Sequence, residues 1–329
     1  GKLGAMKIDV HAHLFPERYI AELDRVLANP RSAEEKATKS LLDNKVKKNP
    51  AMWTVDERLR LMERLGVDYQ VLSLSLPQAY EGDRETRKSL AQMSNDLFAA
   101  EVRAHPDHFL AFGSVPLPNL DDALDELARC MDQLQLAGLL LGSNINGLRL
   151  DNPQLAPLFE EIDRRGLTVL LHPMTPSCAD MVVDYNMAST LGFIFDTGVT
   201  VYRMIFSGMF EKYRRMQLIV PHLGGMLPYL IGRVEGAYRS HPACKGIPRP
   251  PTEYMKELYY DLVSYHVPSI HLAAQVFGTD HLLLGSDYPF GLGDLEMAVQ
   301  SVQDAGFSAA DQELIYSGNA RRLLGLPNS

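Results

Sequence analysis

Eight short apolar runs, each followed by a stretch with helical spacing, set the outline of this chain. The first is Lys7-Ile8-Asp9-Val10, which leads into His11-Ala12-His13. The others are Tyr69–Leu74, Phe109–Val115, Gly138–Leu141, Leu167–Leu171, Leu218–Pro221, Leu258–Val263 and Leu282–Gly285. The spacing predicts helices over Arg84–Ala104, Leu120–Leu136, Pro153–Arg165, Gly198–Lys212, Met226–Tyr238 and Ser269–Phe277, and at the end over Leu295–Asp304 and Ala309–Leu324. Thr54 and Glu57 read as a capping box for a further helix that ends at Gly66. Strands alternating with helices argue a parallel sheet, and eight such units argue an α/β fold of the (β/α)8 TIM-barrel type. A doubly wound sheet would want a glycine fingerprint after the first strand, and none is there.

A barrel of this size is expected to be one domain, residues 6–329, with an insertion over 14–50 near the mouth of the site. Gly1–Ala5 precede Met6 and read as a remnant outside the fold. The net charge of -9 and the absence of a basic block argue against nucleic acid and anionic membranes as partners. No window is apolar enough for a membrane span, and no signal peptide follows Met6. The odd, scattered cysteines Cys130, Cys178 and Cys244 suit free thiols in a cytoplasmic protein. Lys45, Lys47 and Lys48 read as a solvated face.

Chemistry in such a barrel sits at the carboxyl ends of the strands. His11 and His13 are two residues apart, so they project together from the end of the first strand. His172 ends strand 5, His222 ends strand 6 and Asp287 follows strand 8. Four histidines and an aspartate on one ring are costly to bury without a partner. They suit one divalent metal ion, zinc first and manganese as the alternative. The expected ligands are His11, His13, His172 and Asp287. His222 beside the open position would serve as general acid/base. Asp9 is expected to orient a ligand histidine or the first loop. The remaining histidines, such as His105, His108 and His281, read as surface residues.

In this order the residues resemble the amidohydrolase superfamily. Strand 4 here, Gly138-Leu139-Leu140-Leu141-Gly142-Ser143-Asn144, lacks the lysine or glutamate that bridges two metals in many members, so the resemblance implies a mononuclear site. Met6–His13, Asn95-Asp96, Pro221-His222-Leu223-Gly224-Gly225, Gly232-Arg233 and Gly285–Phe290 are similar to its decarboxylase branch, which holds aminocarboxymuconate-semialdehyde decarboxylase and the resorcylate- and vanillate-type aromatic acid decarboxylases. Asp196-Thr197-Gly198 through Phe210-Glu211-Lys212 resembles the aromatic-acid members. Lys45–Pro50 lacks the arginine of the muconate enzyme, and Tyr185–Leu191 lacks its tryptophan. Both differences point to another substrate.

The resemblance implies a nonoxidative decarboxylase releasing CO2 from an unsaturated or aromatic carboxylic acid. It offers Asp287 as an alternative proton donor to His222. It makes Arg233 the grip on a substrate carboxylate, supplied by a neighbouring subunit, and so implies a homodimer or larger homo-oligomer. Trp53, Tyr288 and Phe290 are candidates for the pocket wall. A hydrolase of a lactone, amide or ester, or a hydratase, would use the same ligands. A barrel that binds metal and a small acid without turnover is the third alternative, against which an intact His222 speaks.

Overall fold

Eight strands form one parallel sheet, in chain order, in the computed structural model of the protein, which describes residues 6–176 and 178–326. They are β1 (Ile8–His13), β2 (Tyr69–Ser73), β3 (Phe109–Gly113), β4 (Gly138–Gly142), β5 (Thr168–His172), β6 (Gln217–Val220), β7 (Tyr259–Asp261) and β8 (Leu282–Leu283). The sheet curls until its first and last strands meet. Val10 N–H donates to Leu284 O at 3.0 Å, Asp287 N–H to His11 O at 2.8 Å and His13 N–H to Tyr288 O at 2.7 Å. This is the expected (β/α)8 barrel, and the seam places the residues after β8 beside those of β1. Gly1–Ala5, set apart above, lie outside the described residues.

Two apolar clusters hold the barrel. One takes residues from every strand, including Val10, Val71, Phe112, Leu140, Leu170, Ile219, Tyr259 and Leu283, and so fills the barrel interior. The other joins the outward strand faces to the helices. The pairing of β1 with β2 shifts register between Asp9 and Ala12. Such an irregularity re-aims the side chains that follow it.

Several helices match their sequence patterns closely. Examples are α4 (Arg84–Ala104), capped by Asp83 accepting from Thr86 N–H, α11 (Val267–Phe277) and α12 (Leu295–Asp304), capped by Asp294. The helices α5 (Leu120–Asp132) and α6 (Ala156–Arg165) are shorter than expected, and a short α10 (Pro251–Met255) precedes β7. Others differ for local reasons. The proposed capping box at Thr54 and Glu57 does not form. The helix α3 runs Asp56–Leu65 after Val55, and the Thr54 hydroxyl turns back to Pro50 O. Its end at Gly66 is as expected, with the glycine at φ +64°. The expected helix Gly198–Lys212 starts earlier, at Phe193, and is broken at Gly208 (φ +80°) into α7 (Phe193–Phe206) and α8 (Met209–Lys212). The insertion is more ordered than its composition suggests: it holds α1 (Glu17–Val26) and α2 (Ala33–Leu41), the latter with a complete capping box between Ser32 and Glu35. Lys47 there pairs with Asp24 and Asp43. Asn49 ties the insertion to the far side of the mouth through Pro289 O at 2.9 Å. His108 and His281, expected on the surface, are half-buried, and each sets a ring nitrogen against a backbone oxygen.

The loop after β2 carries a buried acid. Glu81 is 7% exposed, and burial, reinforced by Glu35, raises its carboxyl to about 7 despite Arg87. Its unfolded value is near 4.5, so the folded state holds the proton more tightly between the two. Stability therefore falls as pH rises from about 4.5 through about 7. Glu81→Gln removes that penalty. We expect the variant to gain up to about 3 kcal/mol over wild type at pH 8 and little at pH 4.5. Urea unfolding at both pH values checks this. A difference between the two proteins that does not change with pH would refute it.

Candidate metal and active site

The strand ends bring His11, His13, His172 and Asp287 together as one ring: one ligand atom from each lies within 4.8 Å of the others. The three histidines are buried. Their ring nitrogens are already sorted by hydrogen bonds. His11 Nδ1 lies 2.7 Å from Asp261 Oδ2, His13 Nδ1 3.1 Å from Leu74 O and His172 Nδ1 2.9 Å from Pro173 O. Each acceptor assigns the Nδ1 proton, which leaves Nε2 with its lone pair turned inward. The Nε2 atoms of His11 and His13 face each other at 2.9 Å. Asp287 Oδ1 stands 3.4 Å from the first and 3.0 Å from the second.

Two lone pairs and a carboxylate converging in a dry place require a cation between them, either a proton or a metal ion. Burial alone would push the His11 imidazolium down, but Asp261 beside it outweighs this and raises His11 to about 9. Burial holds His13 low and His172 well below the ordinary histidine range. Burial would raise Asp287, yet the charge of His11 and the bonds to His13 and His222 keep it well below the usual carboxylate range. A ring of three inward nitrogens and an ionised carboxylate fits a divalent ion.

His222 lies beside this ring, outside the set of four. Its Nε2 is 3.6 Å from Asp287 Oδ2, while its Nδ1 is buried without a partner. Its backbone N–H donates to Asp261 Oδ1 at 2.9 Å. Both His222 (φ +54°) and Asp287 (φ +57°) adopt left-handed backbone, which is uncommon for such residues and concentrates at functional sites.

Asp261, at the end of β7, is the residue the sequence reading missed. One carboxylate orients His11 through Oδ2 and fixes the His222 backbone through Oδ1. The available signal was an acid at the carboxyl end of a barrel strand, the same signal that marked Asp287. Of the two expectations for Asp9, its bonds favour holding a ligand histidine over holding the first loop, since it takes the His11 backbone N–H. Its oxygens accept from His11 N–H, the Ser286 amide and hydroxyl, and Gln70, and burial raises its carboxyl to about 6 against those bonds.

The other named residues divide. Phe290 packs edge-on against His13 with ring centroids 5.4 Å apart. Trp53 is half-buried against the main core, and Tyr288 lies under Arg58. Arg233 is exposed on α9 (Leu227–Ser240) and makes no ion pair among the described residues, so the structure does not bring it to this chain's own ring. Ser143 and Asn144, at the end of β4, both bond Asp196, which ties α7 to the strand ends next to His172.

A family model for amidohydrolases matches residues 8–326. The chain belongs to the amidohydrolase family. Among curated relatives, this amidohydrolase is 31% identical to 2-amino-3-carboxymuconate-6-semialdehyde decarboxylase of Dictyostelium discoideum, over 98% of this chain and 93% of that one. It is 30% identical to gamma-resorcylate decarboxylase of a Rhizobium species, over 82% of this chain and 87% of that one. The crystal structure of 5-carboxyvanillate decarboxylase from Sphingomonas paucimobilis superposes with a TM-score of 0.89 at 25% identity, covering 98% of this chain and all of that one. The amidohydrolase thus falls among carbon-carbon lyases that remove a carboxyl group, as the sequence motifs implied. No helix among its described residues is long and apolar enough to cross a membrane.

Proposed function

We propose that this chain, as one barrel domain, is a metal-dependent nonoxidative decarboxylase of a small unsaturated or aromatic carboxylic acid. The observation that carries the reading is the ring itself: inward Nε2 atoms of His11, His13 and His172 with Asp287, and a free ring nitrogen of His222 beside them. Its relatives act on acids whose carboxyl group is lost. His11, His13, His172 and Asp287 would hold one ion, zinc by ligand type, with manganese as the alternative. Such an ion supplies Lewis acidity toward a carboxylate and a neighbouring oxygen, drawing electrons from the bond to be broken.

The chain's own groups do the rest. Asp261 keeps His11 in one tautomer and one orientation, and Leu74 O does so for His13. Loss of CO2 leaves a carbon that needs a proton. His222, whose Nε2 lies 3.6 Å from Asp287 Oδ2, delivers it, with Asp287 as the alternative donor. Phe290, edge-on to His13, and Trp53, half-buried just past the insertion, would wall the pocket.

Arg233 would grip a carboxylate in a neighbouring copy's site, which makes the working form a dimer or larger. It is exposed and unpaired, and Tyr229, one turn earlier on α9, is 80% exposed. Leu191 and Phe195 are exposed large apolar residues at α7, and the Met226 side chain, just ahead of α9, lies against Gly198 of α7. The three cysteines are free, in keeping with a cytoplasmic protein.

Mass spectrometry of zinc- or manganese-loaded protein against a panel of unsaturated and aromatic acids tests the reading. We expect loss of CO2 from at least one acid, abolished by chelation and restored by adding the metal back. Hydration of a lactone with every acid untouched would overturn it in favour of a hydrolase.

A further inference from the structure

We propose that Arg58 is a positioning residue whose single guanidinium locks three parts of the chain to one another: residues 49–55 at the end of the insertion (the mouth segment), the first metal-ligand strand, and the loop of Asp287. The inference rests on reading the ring as a metal site. Helical spacing would leave Arg58, on the first turn of α3, on the surface among charged neighbours. Instead it is fully buried.

Its contacts reach four parts of the chain. Nη2 donates to His13 O at 2.5 Å and to Ala51 O at 3.3 Å. Nη1 donates to Gln70 Oε1 at 3.0 Å on β2. Its guanidinium lies 4.7 Å from the centre of the Tyr288 ring, next in sequence to Asp287. Gln70 carries the connection onward: its Nε2 donates to Asp9 Oδ2 at 2.8 Å, and the same oxygen accepts the Ser286 hydroxyl.

Among the described residues no carboxylate pairs with Arg58 directly. Its charge is met by two carbonyls, an amide oxygen and an aromatic face, and Nε has no partner. Burial lowers it to about 10, so it stays charged near neutral pH. A buried cation without an acid is costly, and an apolar side chain would pack α3 on the barrel without that cost. What an apolar residue cannot do is join these groups in a fixed plane. Lysine could reach one acceptor, but only the guanidinium fork holds several at once. The groups it joins are telling. Ala51 sits two residues before Trp53, His13 is a ligand, and Tyr288 follows the ligand Asp287.

The test is Arg58→Lys, which keeps charge and stem and removes the fork. Metal affinity is measured by chelator competition, with the absorption spectrum of the cobalt-loaded protein as a readout of ligand geometry. Amide exchange over residues 49–55 is followed in the metal-free protein. We expect a folded variant with affinity weakened about 10-fold, an altered cobalt spectrum and faster exchange over 49–55. If that variant does not fold, Tyr288→Leu, which removes only the ring beneath the guanidinium, is expected to weaken affinity in the same direction by about 2- to 5-fold. Wild-type affinity and spectrum together with a lowered melting temperature would overturn the proposal and leave Arg58 a packing role. Failure of the wild-type protein to take up metal would instead sink the metal-site reading, while the exchange result still decides whether Arg58 ties down the mouth.

Discussion

His222→Asn is expected to leave metal binding intact and to slow turnover by about 10²- to 10⁴-fold, the range a well-placed general acid/base supplies. The expectation follows from position. His222 stands outside the four ligand atoms, so its loss removes none of them. It keeps Nδ1 buried and unpartnered, with Nε2 3.6 Å from Asp287. Asparagine tolerates the left-handed backbone at φ +54° better than most residues, so the variant separates loss of the imidazole from backbone strain. The measurements are kcat and KM on the acid found by the CO2 screen, with metal content on the same preparation. Unchanged kcat would remove His222 from the chemistry. Loss of metal along with activity would make it a ligand.

Asp287→Asn is expected to have the largest effect of all: turnover down by at least about 10³-fold even at saturating metal, and metal affinity down by more than the roughly 10- to 100-fold that loss of an outer partner of a ligand costs. Two roles meet in this carboxylate. It supplies the one negative charge among the four ligand atoms, and it sits between the Nε2 atoms of His11, His13 and His222. Here too asparagine is the informative choice, since it accepts the φ of +57° where alanine would add strain. Titration of metal into the variant, followed by rate measurement at saturation, separates the two effects. If saturating metal restored full turnover, Asp287 would be a ligand only, and His222 would carry the proton alone.

The ring was legible because a barrel converts sequence position into spatial position. Any polar residue just past an apolar run lands on the same rim, so His11, His13, His172, His222 and Asp287 could be placed together without coordinates. Asp261 obeys the same rule but was hidden inside a strand assigned as Leu258–Val263, whereas the strand itself ends at Asp261. Where a strand stops depends on the neighbours it pairs with, which a local pattern does not contain. Arg58 escaped for a related reason. Its helix reads as an ordinary amphipathic one, and only the long-range approach of Gln70, His13 and Tyr288 makes its charge an interior one. The capping box failed because Pro50 O captured the Thr54 hydroxyl, so the N-cap moves one residue on, to Val55. Arg233 shows the remaining limit. An exposed, unpaired arginine takes its meaning from whatever lies across from it, and one chain's sequence says nothing of its geometry there.

The seam between the first and last strands also bears on how the protein is made. His11 leaves the ribosome 276 residues ahead of Asp287 (287 − 11). Chains emerge from the amino end, and early segments begin to fold during synthesis. A nascent chain can therefore build most of its strands and helices while its histidines still lack their carboxylate. Metal capture by the full ligand set is thus a late event in the life of each molecule. A chain cut short before β8 would present three bare ligand imidazoles, those of His11, His13 and His172, to the cell and hold no complete site.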